Sequence, residues 1–92
     1  MTINATLRKD DFGSAGSRRL IRQGLFPAEV YGKGKNMHIV LNAHDFDLSL
    51  RKIKVGDKVE LVVDGKSCNC IFKDLQENIM TGTLVHADFQ LV

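Results

Sequence analysis

At 92 residues, with 43% hydrophobic and 26% charged side chains, the chain has the composition of one soluble domain, and two or more domains are not expected. No apolar run reaches the ~20 residues of a membrane helix, and Met1-Thr2-Ile3-Asn4-Ala5-Thr6 lacks the basic and apolar regions of a signal peptide, so a cytosolic protein with no membrane partner is expected. Thirteen Lys and Arg against eleven Asp and Glu leave a net charge of +2, too little for a chain that wraps nucleic acid with its whole surface.

The average hides an asymmetry. Residues 1–40 carry seven basic side chains (Arg8, Lys9, Arg18, Arg19, Arg22, Lys33, Lys35) and three acidic ones, a balance of +4, whereas residues 41–92 carry six against eight, or −2. Such polarity suggests one cationic face suited to an anionic partner.

Ile3 to Lys9 alternates apolar and polar residues, which predicts a strand with Ile3, Ala5 and Leu7 buried and Arg8 on the other face. Asp10 to Gly16, with glycines, acids and a serine, reads as an exposed loop, and Ser14 or Ser17 is a candidate cap for a helix after it. Ala15 to Gln23 reads as that short helix, ended by Gly24, with Pro27 soon after. At 100° per residue, Arg18, Arg19 and Arg22 share an arc of about 100°, opposite Leu20 and Ile21.

Ala28 to Tyr31 reads as a second short strand, and Gly32-Lys33-Gly34-Lys35 as a flexible basic loop before the apolar stretch Met37 to Leu41. Asn42 has the character of a helix N-cap, because Phe46, Leu50 and Ile53 lie after it as an apolar stripe. After Gly56, Val59, Leu61 and Val63 alternate with polar neighbours, and Asp64-Gly65 is a two-residue turn signal leading into a strand over Ser67 to Lys73. The last strand, Thr83 to Leu91, assigns Val85, Ala87, Phe89 and Leu91 to one face and Leu84, His86, Asp88 and Gln90 to the other. About six strands and two or three short helices make a mostly β domain, all-β or α+β, and short hairpin-linked strands favour a closed or nearly closed β-barrel because closure removes exposed edges.

The chemistry these residues suggest is binding. No Walker loop, nucleophile elbow, dinucleotide fingerprint or HExxH motif is present. His86 and Asp88 run parallel on one strand and imply no activated nucleophile, so neither an enzyme nor a cofactor is expected. Cys68 and Cys70, two apart on a strand, sit too close for a comfortable disulfide, and the three histidines make no zinc-type spacing with them, so no metal site is expected. The arginine arc is the strongest signal, since guanidinium groups pair bidentately with phosphates and base edges; a solvated helix face is the competing reading. Lys33 and Lys35 suit contact with a phosphate backbone, and the Tyr31 ring is suited to stacking or to donating its hydroxyl, where a half-buried strand tyrosine is the plainer alternative.

Read in order, Asn4-Ala5 through Arg8, Gly16-Ser17-Arg18-Arg19-Leu20, Phe26-Pro27-Ala28, Tyr31-Gly32, Val63-Asp64-Gly65-Lys66, Lys73-Asp74 with Gln76, and His86-Ala87-Asp88-Phe89 form a pattern that spans essentially the whole chain. It resembles the bacterial large-subunit ribosomal protein that binds 5S rRNA, the twenty-fifth of the L series, a family shared with two-domain general stress proteins. The resemblance implies a six-stranded β-barrel with helices beside it, residues 1–92 forming a single 5S-rRNA-binding domain. It also implies a ribosomal role in the cytoplasm: docking on loop E of 5S rRNA, whose noncanonical pairs reshape the minor groove, within the central protuberance.

Carried onto matching positions, Arg8, Ser17, Arg18, Arg19 and Arg22 would contact the RNA backbone and groove with Tyr31 beside them, while His86 and Asp88 would reach base edges or sugar hydroxyls. Asp88 would add specificity by accepting from a guanine amino group or a 2′-hydroxyl, or by holding an arginine. The chain departs from the family pattern at Ile21, where many members carry a basic residue, at Glu29, and at Ile79, where a proline is common; the first two should weaken general attraction. With no second domain expected, the short ribosomal form, a monomer when free, fits better than the long stress-protein form. Alternatives are a tRNA-reading module, since a similar barrel occurs in the anticodon-binding part of glutaminyl-tRNA synthetase, and a stress-induced protein adaptor in which the hairpin surface, Cys68 and Cys70 would matter more than the arginines.

Overall fold

A computed structural model describes residues 2–8 and 14–92. In chain order the elements are β1 (Thr2–Leu7), α1 (Ser14–Arg22), β2 (Leu25–Gly32), β3 (Lys35–Asn42), α2 (Ala43–Ser49), β4 (Lys58–Val63), β5 (Lys66–Asn78) and β6 (Thr83–Leu91). The six strands close into a barrel in the order β1-β3-β2-β6-β5-β4, with β1–β4 and β2–β6 parallel and the other pairs antiparallel. The mostly β, closed-barrel reading of the sequence is therefore the fold.

Alternation turns one side of each strand inward. Ile3 and Ala5, Phe26, Ala28 and Val30, Ile39 and Leu41, Val59, Leu61 and Val63, Cys70 and Phe72, and Ala87 and Phe89 fill the interior. α2 closes one end with Phe46, whose ring lies 5.5 Å from Phe26 and Phe72 and 6.1 Å from Phe89, edge-on in each case. The expected cap holds this plug: Asn42 Oδ1 accepts the Asp45 backbone N–H at 3.0 Å. Ile53 is buried as the apolar stripe requires, but it lies beyond the helix, in a turn where its N–H donates to the Ser49 carbonyl at 3.1 Å.

Five sequence expectations need correction. Leu7, read as buried with Ile3 and Ala5, is 40% exposed, because the pairing of β1 with β4 ends at Ala5. β2 begins at Leu25 and runs through Pro27, because Pro27 pairs only toward β3 while the ladder to β6 starts at Ala28, so the missing N–H costs no cross-strand bond on that side. The Gly32 to Lys35 segment is a tight hairpin end rather than a loose loop: Gly32 pairs with Lys35, and Lys33 and Gly34 (φ 53° and 74°) turn the chain as Asp64 and Gly65 (φ 49° and 86°) do in the β4–β5 hairpin. β5 continues to Asn78, past a bulge between Phe72 and Asp74. A second irregularity, opposite Gln76 and Glu77, inserts Val85 and shifts the phase of β6, so Leu84 rather than Val85 is buried with the core.

α1 lies outside the barrel against β2 and β6. Ser14 is its first residue, Ser17 lies within it, and Gly24 (φ 80°) ends it, with the Gly24 N–H donating to the Ile21 carbonyl at 3.1 Å. The part of the expected loop from Asp10 to Gly13, and Lys9, lie outside the described residues.

Candidate nucleic-acid interface

The helix presents the arc its spacing predicts. Arg18, Arg19 and Arg22 are exposed, Gly16 is buried, and Ile21 packs against the core. Nine residues of helix span roughly 13 Å, so three guanidinium groups are concentrated within about two and a half turns.

Beside the helix, the outward positions of five strands form rows. The Arg8 N–H donates to the His38 carbonyl at 2.8 Å, continuing the β1–β3 ladder one residue past Leu7. His38 pairs in register with Glu29, Glu29 with Asp88, and Asp88 with Asp74, so one row runs Arg8, His38, Glu29, Asp88, Asp74 across β1, β3, β2, β6 and β5. In the neighbouring row His86 faces Gln76, and in the row on the other side Asn36, Tyr31 and Gln90 are partners. Among the candidate residues, Arg8, Ser17 and His86 line one cleft of about 250 Å³ with Pro27, Glu29 and His38.

The row contains three carboxylates, and like charges directly opposite on a sheet repel. Two imidazoles sit against them: His38 Nδ1 is 3.5 Å from Glu29 Oε1, and His86 Nδ1 is 3.3 Å from Asp88 Oδ1. His86 and Asp88 are each about 30% exposed, so their outer edges remain available to a ligand while the pair orients itself. Tyr31 is half-buried two residues along from Glu29, on the same side of β2.

Lys33 and Lys35 are exposed but stand apart from this cluster. Four residues of strand, about 13 Å, separate Lys33 from Glu29. Sequence reasoning did not single out His38, nor Gln76 as a surface residue beside His86. His38 carried an available signal, since alternation with Ile39 and Leu41 inward turns it outward, but its register opposite Glu29 is a tertiary fact. Among the described residues no three His, Cys, Asp or Glu side chains converge to hold a metal ion, and no helix is long and apolar enough to cross a membrane.

Fold and surface define a small closed barrel with an arginine-bearing helix on its outer, polar side. Residues 3–89 match the Ribosomal L25p family, and the chain belongs to that family, one of ribosomal proteins rather than enzymes. It is 40% identical over 86 residues to the large ribosomal subunit protein bL25 of Thermoanaerobacter sp. strain X514, a match covering 91% of this chain and 43% of that protein. The bL25 proteins of Wolbachia sp. subsp. Brugia malayi and Borreliella burgdorferi strain ZS7 are 36% and 35% identical, over 100% and 88% of this chain and 46% and 45% of theirs. The chain thus spans less than half the length of these curated relatives.

Proposed function

We propose that this chain is a structural, non-catalytic part of the large ribosomal subunit in the cytoplasm, and that it binds the loop E region of 5S rRNA through α1 and the outward face of β1, β3, β2 and β6. The observation that carries the reading is the convergence of Arg8, Ser17 and His86 on one cleft beneath a helix whose outer arc holds Arg18, Arg19 and Arg22. Phosphates are met by the arginines, which supply attraction and orientation without reading sequence. The His86–Asp88 pair and Glu29 supply what arginines cannot: acceptors for guanine amino groups and 2′-hydroxyls exposed in a wide RNA minor groove.

The low net charge suits this division of labour. A carboxylate row beside a compact cationic helix penalises an arbitrary phosphate surface and favours an RNA whose donors meet those acids. Lys33 and Lys35 extend the footprint along the strand direction as backbone contacts. The free protein is a monomer, consistent with a closed sheet that leaves no unpaired strand edge. The test is competition between a loop E fragment of 5S rRNA and a regular duplex of equal length for the purified protein. Preference for loop E by tenfold or more is expected, and equal affinity would overturn the reading.

A further inference from the structure

The end of the β5–β6 hairpin holds two apolar side chains away from the rest of the molecule. Ile79 is 92% exposed and Met80 96%, beyond the last register pair, Asn78 with Thr83. The turn is fixed rather than loose. Asn78 Oδ1 accepts the Met80 N–H at 3.0 Å, the Gly82 N–H donates to the Asn78 carbonyl at 2.7 Å, and the hydroxyls of Thr81 and Thr83 are 2.5 Å apart. Gly82 takes the left-handed φ of 71° that lets the chain return into β6. A turn with this many internal hydrogen bonds has already lost much of the freedom a partner would otherwise have to remove.

The charge around the tip selects the partner. No Lys or Arg follows Lys73, and Glu77 is the charged side chain of the hairpin nearest the tip, since Asp74 and Asp88 pair with each other well down the two strands. The hairpin end offers phosphate no cation, and neither Ile79 nor Met80 has a ring on which a base could stack. Behind the tip lies a cleft of about 270 Å³ whose lining includes Ile21, Leu25, Ala43 and Leu84, with Asp47 also among its lining residues. An apolar prong, a partly apolar hollow behind it that His44, Asp47 and Thr83 also line, and the acids Glu77 and Asp47 beside them together complement a protein surface that has an apolar pocket and a basic rim.

We infer that the Ile79–Met80 tip is a protein-docking prong that seats in an apolar, basic-rimmed pocket of a neighbouring large-subunit protein, while the α1 face holds RNA. The inference rests on the ribosomal reading for where the partner is found. The test places a benzophenone-bearing residue at position 79 and, separately, makes the double substitution Ile79→Ser, Met80→Ser, each reconstituted into purified large subunits stripped of this chain. Irradiation is expected to join the tip to a peptide of one ribosomal protein that contains apolar residues and Lys or Arg. The double variant is expected to leave subunits at least tenfold faster than wild type, with loop E affinity and thermal midpoint unchanged. Adducts to rRNA alone, no adduct, or undiminished retention of the double variant would overturn the docking proposal. A wild type that fails to join subunits would overturn the ribosomal reading and this proposal with it.

Discussion

His38 and Glu29 meet in register across β3 and β2, Nδ1 to Oε1 3.5 Å, with the Arg8 main chain bonded to His38 on the far side. That relationship places an acid inside the cleft that the cationic residues line. It is tolerated because an imidazole and the end of β1 carrying Arg8 lie beside it, and because nearly half of each side chain reaches water.

Glu29→Gln removes a negative charge from the proposed contact face while keeping the side chain's shape. A regular duplex is expected to bind more tightly, by about threefold at low salt, a gain of the size of an exposed charge interaction, while loop E, whose donors meet this acid, gains nothing or weakens. Filter binding at two ionic strengths checks this. If loop E gains as much as the duplex, Glu29 acts only as a charge and accepts no directed RNA hydrogen bond.

Asp88→Ala removes an acceptor and the 3.3 Å partner of His86. The expected loss is specific: loop E affinity falls by about ten- to a hundredfold, the equivalent of ~1–3 kcal/mol, with little change for the duplex. His86→Ala should lose a similar amount, and the double variant less than the sum, because the two side chains act together. Additive losses in competition titrations would contradict the paired arrangement.

Much of this fold is legible in the sequence where local rules decide. Alternation in β4 and over Ile3 to Ala5 of β1, the Asp64-Gly65 turn, the Asn42 cap and the arginine arc of α1 each depend on neighbours in the chain, whereas Leu7, at the end of β1, is exposed. The misread positions depend on partners far away. Pro27 stays inside β2 because of where the β6 ladder happens to begin, and Val85 leaves the inner face because two strands differ locally in length. The cleft was readable only in pieces: Arg8, Ser17 and His86 were singled out, but their meeting with Glu29 and His38 comes from barrel closure and strand order.

Phe46→Ala opens the end of the barrel, since its ring contacts Phe26, Phe72 and Phe89 and its residue is 1% exposed. A destabilisation of about 3–5 kcal/mol is expected from lost burial and the cavity left behind. Urea unfolding measures it, with the slope against denaturant unchanged if the unfolded state is the same.

The Cys70 thiol is pushed up from 9.0 to about 11, first by its burial in the barrel and second by Cys68. The folded state therefore holds this proton more tightly than the unfolded chain does. The contribution to stability is fully present below about pH 9 and is lost as pH rises through that value toward about 11, where it levels off. Two pH units correspond to roughly 3 kcal/mol. Unfolding titrations of wild type and Cys70→Ala across this range should differ in slope, and parallel curves would show that Cys70 does not titrate in this way.

Contact between the α1 arginines and RNA phosphates is tested most directly by a salt titration of wild type and Arg18→Ala against a loop E fragment of 5S rRNA. Losing one phosphate contact should reduce the magnitude of the log–log salt slope by about one and weaken binding at every salt concentration, with preference over a duplex retained. An unchanged slope and affinity would show that Arg18 is a solvated helix residue and that α1 does not face the RNA.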